Sequence, residues 1–252
     1  MNRFTSYVFA LSEQSCYYYA VTTGLHAELL DKLGRAVASH ELAAGTVLRA
    51  EEMEARYGVS RTVVRETIRV LESMGMLSSR RRVGTTVEPR ERWNVFDPMV
   101  IRWRLAGEGR VEQLRSLSEL RAGFEPVAAA LAARRATPAH CGELTGAVME
   151  MAVHARSGDL DAYLAADVLF HRTLLRASGN EMFGALDAVV AEVLSGRTRH
   201  GLMPATPEAA AVRLHADVAE AVRAGDPAGA RRAMEAILEE AVTAMLGEIT
   251  TR

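Results

Sequence analysis

Residues 58–69 constrain this chain more than any other stretch, because a helix-start signal runs directly into three arginines spaced four residues apart. Ser60 follows a Gly-Val turn and supplies a hydroxyl that can accept from an unpaired N–H of the first helical turn. At about 100° per residue, Arg61, Thr62, Arg65 and Arg69 share one side of the resulting helix, while Val63, Val70, Leu71 and Met74 share the opposite side. The pattern predicts a helix that packs on one face and carries positive charge on the other, as a DNA-recognition helix does.

The residues on either side extend this reading. Residues 48–57 fit a short helix ending in a tight turn at Gly58, which completes a helix-turn-helix. Downstream, residues 76–79 and 85–88 bracket Arg80-Arg81-Arg82-Val83-Gly84 as two strands around a basic tip, so the unit is expected to be a winged helix-turn-helix. From Arg56 to Arg82 seven arginines face only Glu66 and Glu72, a local excess of five on a chain whose net charge is −2. Basic charge gathered on one face suits phosphate contact, and the near-neutral remainder argues against a general polyanion binder.

The chain has 252 residues, 49% of them hydrophobic, enough for two cores when the DNA-binding unit needs about the first third. The expected organisation is an extension over 1–23, a winged helix-turn-helix over 24–89, a linker and helix over 90–110, and a helical domain over 111–252. The extension holds Tyr17-Tyr18-Tyr19 and, as its one basic residue, Arg3, without the unbroken apolar block of a secretory signal, and is expected to be weakly ordered. Cys16 and Cys141 make no disulfide framework, which points to a reducing, cytoplasmic setting. No apolar run reaches the length of a membrane span, so no membrane partner is expected.

After the junction, where Arg90-Glu91-Arg92-Trp93-Asn94 leads to the helix-start pair Asp97-Pro98, the periodicity is helical throughout. Helices are expected over 97–106, 112–136, 138–157, 160–178, 181–199, 207–224 and 227–250, separated by short Gly, Pro and Asp breaks. The fold class is therefore mostly α, a winged helix-turn-helix followed by an all-helical bundle. Trp93 is either a packing anchor or the place where the orientation of the two domains is set.

Polar residues interrupt the apolar faces of that bundle. Asp167 and His171, one turn apart, fall in the middle of an arc made by Leu160, Tyr163, Leu164, Phe170 and Leu174. His215 lies among Ala211, Val218, Ala219 and Val222, and Arg121 lies among Leu114, Leu117, Phe124 and Ala128 with Glu125 one turn on. Burying these groups is unfavourable unless they meet one another, a metal or a ligand. Three readings stay open: a three-ligand site for a divalent cation from Asp167, His171 and His215; a carboxylate pocket in which Arg121 supplies the fork and the others bond hydroxyls; or a self-satisfied network that positions helices. A metal-dependent enzyme using Asp167, His171 and His215 is the alternative to a regulator.

With the motif Ser60-Arg61-Thr62-Val63-Val64-Arg65-Glu66 in the first part, and Glu119-Leu120-Arg121, Asp167-x-x-x-His171, Ser178-Gly179-Asn180 and His215 in the second, the chain resembles the GntR family of bacterial transcription regulators, in its FCD (FadR-type) branch. The junction Arg92-Trp93-Asn94-x-x-Asp97-x-x-Val100-x-x-Trp103, with Ser118-Glu119-Leu120-Arg121-x-x-x-Glu125-Pro126 after it, is similar to galactonate-responsive members of that branch. The resemblance implies a homodimeric repressor bound to palindromic operator DNA and released by a small carboxylate effector such as a sugar acid. It assigns DNA contact to Ser60, Arg61, Thr62, Arg65, Arg69, Arg81 and Gly84, with Arg69 on phosphate. Effector contact falls to Arg121, Asp167, His171, Asn180, Arg197 and His215, with Arg121 preferred for the acid and Arg197 near a helix end where a surface position is open to it. A zinc, nickel or manganese ion is implied on Asp167, His171 and His215, although Ile237 stands where the branch usually has a third histidine and Glu52 where its DNA-binding half is often basic.

Overall fold

A computed structural model describes residues 24–201 and 209–250; the expected N-terminal extension and the start of the helix expected from Pro207 lie outside the described residues. The chain divides into two compact units, 1–95 and 96–252.

The first unit contains α1 (Leu25–Ala38), β1 (Val47–Leu48), α2 (Ala50–Tyr57), α3 (Arg61–Ser73), β2 (Leu77–Arg80) and β3 (Gly84–Val87). The strands form one antiparallel sheet in the order β1-β3-β2, with Ser79 opposite Thr85 and Arg80 opposite Gly84. β1 was not foreseen, since two residues carry no periodicity. α2 stops at Gly58, which takes the left-handed conformation (φ 65°) and returns its N–H to the Glu54 carbonyl. α3 then starts at Ser60, whose Oγ accepts from Val63 N at 3.4 Å.

Packing sets the rotation of α3. Its buried residues are Val64, Thr67, Ile68 and Leu71, continued by Met74, against α1, α2 and β2. This corrects the expected apolar side: Val63 and Val70 are only half-buried, and the interior stripe passes through Thr67, whose methyl enters the core while its hydroxyl finds no hydrogen-bond partner. Opposite the corrected stripe, Arg61, Thr62, Arg65 and Arg69 are exposed. Trp93 is buried in this same unit, its indole N–H donating to the Glu88 carbonyl at 3.0 Å and its ring stacked on His40.

The second unit is helical: α4 (Pro98–Ala106), α5 (Arg110–Arg135), α6 (Pro138–Ser157), α7 (Leu160–Ala177), α8 (Glu181–Gly184), α9 (Asp187–Arg199), α10 (Ala209–Ala224) and α11 (Pro227–Thr250). Asp97 caps α4 by accepting from Met99 N at 2.8 Å, with Pro98 in the first turn. The expected single helix over 181–199 is two, because the chain turns at Ala185 and Leu186 and places Leu186 against two apolar clusters.

Long α5 runs through the bundle against α11, α7 and α10, while α6 pairs with α7 and α10 with α11. Alanines 128, 129, 132 and 133 are all buried, so small side chains let α5 approach its neighbours closely. One cluster of this unit joins Ala129, Leu144, Phe170, Leu174, Val218 and Met234, each large side chain contributing roughly 1.5–3 kcal/mol by burial. Ile237 lies in that cluster at 4% exposure, so the position where a third histidine is usual is filled by apolar packing. Among the described residues no helix is long and apolar enough to cross a membrane.

Candidate functional site

The basic face is built from α3 and the β2–β3 hairpin. Arg61 stands 3.4 Å from Glu51 and Arg69 2.7 Å from Glu66, both exposed pairs of the kind worth little in water and readily exchanged for a phosphate. Arg65 and Arg81 have no ion pair among the described residues, and both are exposed. At the hairpin Arg82 takes a positive φ of 67° and Gly84 one of 102°, which turns the chain tightly between Arg80 and Gly84 and leaves Arg81 at the tip. Ser60 serves the helix as its cap, and Thr62 is exposed beside Arg61.

The second candidate site lies inside the helical unit. Helical spacing of four residues pairs Arg121 with Glu125 on α5 and Asp167 with His171 on α7, and α10 adds His215; all five are at most 5% exposed. Arg121 is engaged at both ends of its fork, Nε to Glu125 Oε1 and Nη2 to Glu125 Oε2 at 3.2 Å, with Nη2 also 3.4 Å from His171 Nε2. Glu125 Oε2 in turn lies 2.8 Å from His171 Nδ1. Asp167 Oδ1 sits between the two histidines, 3.4 Å from His171 Nε2 and 3.3 Å from His215 Nε2. The edge of Phe170 packs against both rings and fixes their planes.

Charge in this centre is balanced by contact. Burial alone would raise the Glu125 carboxyl, but Arg121 and His171 outweigh it and hold it at about 2. Burial would raise the Asp167 carboxyl too, but the neighbouring His171 and His215 outweigh it and hold Asp167 below the ordinary carboxylate range. For His171 burial opposes the charged form, yet Glu125 and Asp167 prevail and raise it.

One part of the centre stays unsatisfied. His215 Nδ1 lies 2.7 Å from the Ala211 carbonyl, an acceptor, so Nδ1 carries the proton and Nε2 presents its lone pair. Asp167 Oδ1 opposite is also an acceptor, and neither atom has a hydrogen-bond partner although both are buried. His171 likewise turns Nδ1 to Glu125 and Nε2 to Asp167, but its Nε2 also has Arg121 Nη2 at 3.4 Å and is not left without a partner. Candidate ligand atoms from Asp167, His171 and His215 all lie within 4.8 Å of one another. Two imidazoles, each oriented through Nδ1 by an oxygen acceptor, beside a carboxylate with a free lone pair, fit a divalent cation in donor type and in supporting contacts.

The structure does not bring every expected residue to this centre. Asn180 caps α8, its Oδ1 accepting from Met182 N at 3.0 Å. Arg197 corrects an expectation in the opposite direction: it is 8% exposed rather than at the surface, because the last turn of α9 faces the interior. Its Nε is buried without a partner, and burial followed by the charge of Arg121 holds its pKa below the usual guanidinium value, against the pull of Asp167 and Glu240. Tyr163, read from sequence as part of the apolar arc, is 2% exposed and lies in the same field of Asp167, Glu240 and Arg197. Only the unusual occurrence of Tyr and Arg on faces otherwise apolar pointed to these two.

Residues 25–87 match bacterial regulatory proteins of the gntR family, and residues 116–240 match the FCD domain. The chain is 29% identical over 162 residues to the galactonate operon transcriptional repressor of Escherichia coli, covering 64% of this chain and 70% of that one. It is 30% identical over 213 residues to the probable D-xylose utilization operon transcriptional repressor of Paenarthrobacter nicotinovorans, covering 84% of each. Among solved structures, the Lar regulator of the Listeria monocytogenes agr system shares the fold, with a TM-score of 0.56 at 18% identity over 89% of this chain and 98% of that one. These relatives are transcriptional regulators and not enzymes, so the buried Asp167, His171 and His215 belong to a regulatory domain rather than a catalytic centre. The chain belongs to the GntR family of bacterial transcription regulators, in the branch that carries an FCD domain.

Proposed function

We propose that this regulator is a cytoplasmic homodimeric repressor that holds a palindromic operator and releases it when a small hydroxycarboxylate binds inside the helical domain. One recognition helix spans a half-site, so two copies reading a palindrome multiply selectivity. Arg61, Thr62 and Arg65 face the major groove in this reading, Arg69 takes a phosphate, and Arg81 with Gly84 meets the backbone or minor groove.

The observation that carries the effector assignment is a group of buried polar atoms without hydrogen-bond partners in the interior of the helical unit, Asp167 Oδ1, His215 Nε2 and Arg197 Nε. A domain whose only task was to dimerise would gain by replacing them with aliphatic side chains. Asp167, His171 and His215 would hold a divalent cation such as zinc, nickel or manganese. Bound there, it supplies a Lewis-acidic anchor for carboxylate and hydroxyl oxygens. The protein's own groups orient that site: Glu125 and the Ala211 carbonyl fix the two rings, and Arg121 keeps Glu125 ionised. The relatives named for galactonate and D-xylose operons favour a sugar or sugar acid. The buried cationic groups favour the acid.

Release follows if the effector binds the DNA-incompetent arrangement more tightly than the competent one. A gel shift with the DNA upstream of the protein's own gene, repeated with galactonate and with D-xylose, tests the reading. Retardation reversed by galactonate and not by D-xylose is expected. Retardation unaffected by any sugar acid would overturn it.

A further inference from the structure

Helix α6 packs on α7 and α10 through a buried stripe of Leu144, Ala147, Met151 and Ala155. Its opposite side is not the polar surface that a helix of this kind ordinarily shows to water. At about 100° per residue, Gly142, Gly146, Met149 and Val153 fall within about 60° of one another, directly across from the buried stripe. Met149 is 65% exposed and Val153 48%, and a β-carbon at Gly142 or Gly146 would meet nothing within 4 Å.

Glycine inside a helix is unfavourable relative to alanine, and here no group of the same chain approaches closely enough to require it. Two large apolar side chains left in water add nothing to the fold. The intervals of the four residues are four, three and four, those of a coiled-coil seam, so a second helix is what the face fits. Their order says which helix. Gly142 lies as far before the midpoint between Ala147 and Val148 as Val153 lies after it, and Gly146 as far before it as Met149 after. A two-fold axis through that midpoint therefore sets every small residue opposite a large one. Resting on the reading of this regulator as a homodimer, we propose that α6 pairs antiparallel with α6 of a second copy about this axis, Met149 of each copy seating over Gly146 of the other and Val153 over Gly142.

A contact between two copies about a two-fold axis must be self-complementary, and this face is. A foreign helix would need knobs and holes but would place no such symmetry on them. Charge does not drive the contact. Glu143 and Glu150, both exposed, flank the seam on one edge, and about this axis each falls near the other's counterpart, so screening by salt should tighten the pairing.

Sedimentation equilibrium of the full chain tests the proposal. Wild type is expected to be a dimer whose affinity rises with salt. Met149→Glu and Val153→Glu each bring two carboxylates into the seam and should weaken the dimer about 100-fold. Gly146→Leu closes the hole from the other side and should weaken it as well, although leucine favours the helix itself, so the variant folds. The register is read by cross-linking with a short bismaleimide in a Cys16→Ser/Cys141→Ser background. The axis puts the two copies of position 149 about 4.5 Å apart along the helices and those of position 142 about 16.5 Å apart, so Met149→Cys should link copies and Gly142→Cys should not. A dimer indifferent to all three seam substitutions, as when another segment or another protein covers this face, or one that links equally at 142 and 149 or dissociates as salt rises, overturns the α6 pairing and leaves the homodimer in place. Monomeric wild type overturns both.

Discussion

Nε2 of His215 lies 3.3 Å from Oδ1 of Asp167, and both atoms present lone pairs to each other. Two acceptors in that position are repulsive in a low-dielectric interior unless something positive stands between them, either a proton or a cation. The Ala211 carbonyl excludes the easy remedy of moving the proton already on the ring, because Nδ1 would then meet that carbonyl as an acceptor at 2.7 Å. The pair is therefore arranged to be completed from outside.

The first prediction follows from that pair. Protein purified without chelator should carry close to one divalent metal per chain by mass spectrometry of the metal content, and His215→Ala should lose it. Chelation should lower the melting temperature, since a ligand at about 100 times its Kd adds roughly 2.7 kcal/mol to the folded state. Chelated protein whose melting curve does not move when zinc, nickel or manganese is returned would exclude a cation at this place.

Glu125 is the hinge of the polar centre, touching Arg121 on one side and His171 on the other while being fully buried. Glu125→Gln keeps the shape but leaves the Arg121 charge without an anion and His171 without an ionic acceptor. Breaking a buried pair from one side costs about 3–5 kcal/mol, so denaturant unfolding should show a loss of that order. Removing both partners in Arg121→Met/Glu125→Leu should restore much of it. A single variant as stable as wild type would mean that neither the Arg121–Glu125 pair within α5 nor the Glu125–His171 contact to α7 contributes to stability.

On the DNA side, the corrected rotation of α3 sharpens what Arg65 does. Exposed and unpaired, it should read a base, and Arg65→Ala should lower operator affinity by about 1–3 kcal/mol while relaxing preference at one position of each half-site. Arg81→Ala at the wing tip should weaken operator and random DNA alike and reduce the salt dependence by about one phosphate contact. Binding measured across a salt series with operator and scrambled duplexes separates the two. Loss of specificity from the wing variant, with none from Arg65, would reverse the assignment.

How much of this could be read from sequence depended on whether a residue's neighbours lie one turn away or on another helix. Asp167 with His171, and Arg121 with Glu125, are spaced four apart on apolar stripes, so local periodicity exposed them. Ser60 and Gly58 were equally legible, because a cap and a left-handed turn are local needs. The resemblance named Arg197 for effector contact, but its burial was not legible, because burial near a helix end is decided by what packs over it; Tyr163, on an apolar arc, read as core. The rotation of α3 was misjudged for a related reason. Two valines at 63 and 70 outweighed one threonine at 67 on a hydropathy count, but the stripe of 64, 67, 68 and 71 makes the better continuous contact, and a threonine methyl fills its place. The short strand β1 exists because β3 offers it an edge, which nothing in Val47-Leu48 announces.

Gly75, between the end of α3 and β2, offers the last prediction, because it couples the recognition helix to the wing. Its φ is 72°, in the left-handed region, and its N–H returns to the Glu72 carbonyl while Met76 N reaches back to Leu71, so the chain reverses tightly out of the helix. A β-carbon there would also collide with the backbone carbonyl of Arg92, which cannot swing away as a side chain could. Asn94 N is bonded to the Met74 carbonyl at 2.8 Å, so the Arg92–Asn94 segment is tied down against this turn. Gly75→Ala combines left-handed strain of about 1–2 kcal/mol with overpacking of about 1–3 kcal/mol. Thermal unfolding of residues 24–95 within the full chain, followed by the fluorescence of Trp93 in a Trp103→Phe background, should therefore shift sharply downward, with loss of operator binding at temperatures where wild type binds. Gly58→Ala makes the comparison informative. Gly58 has a similar φ of 65° but open space around it, so it should show the backbone strain alone and a distinctly smaller loss. Equal losses at the two glycines would mean that the contact with Arg92 does not constrain the turn.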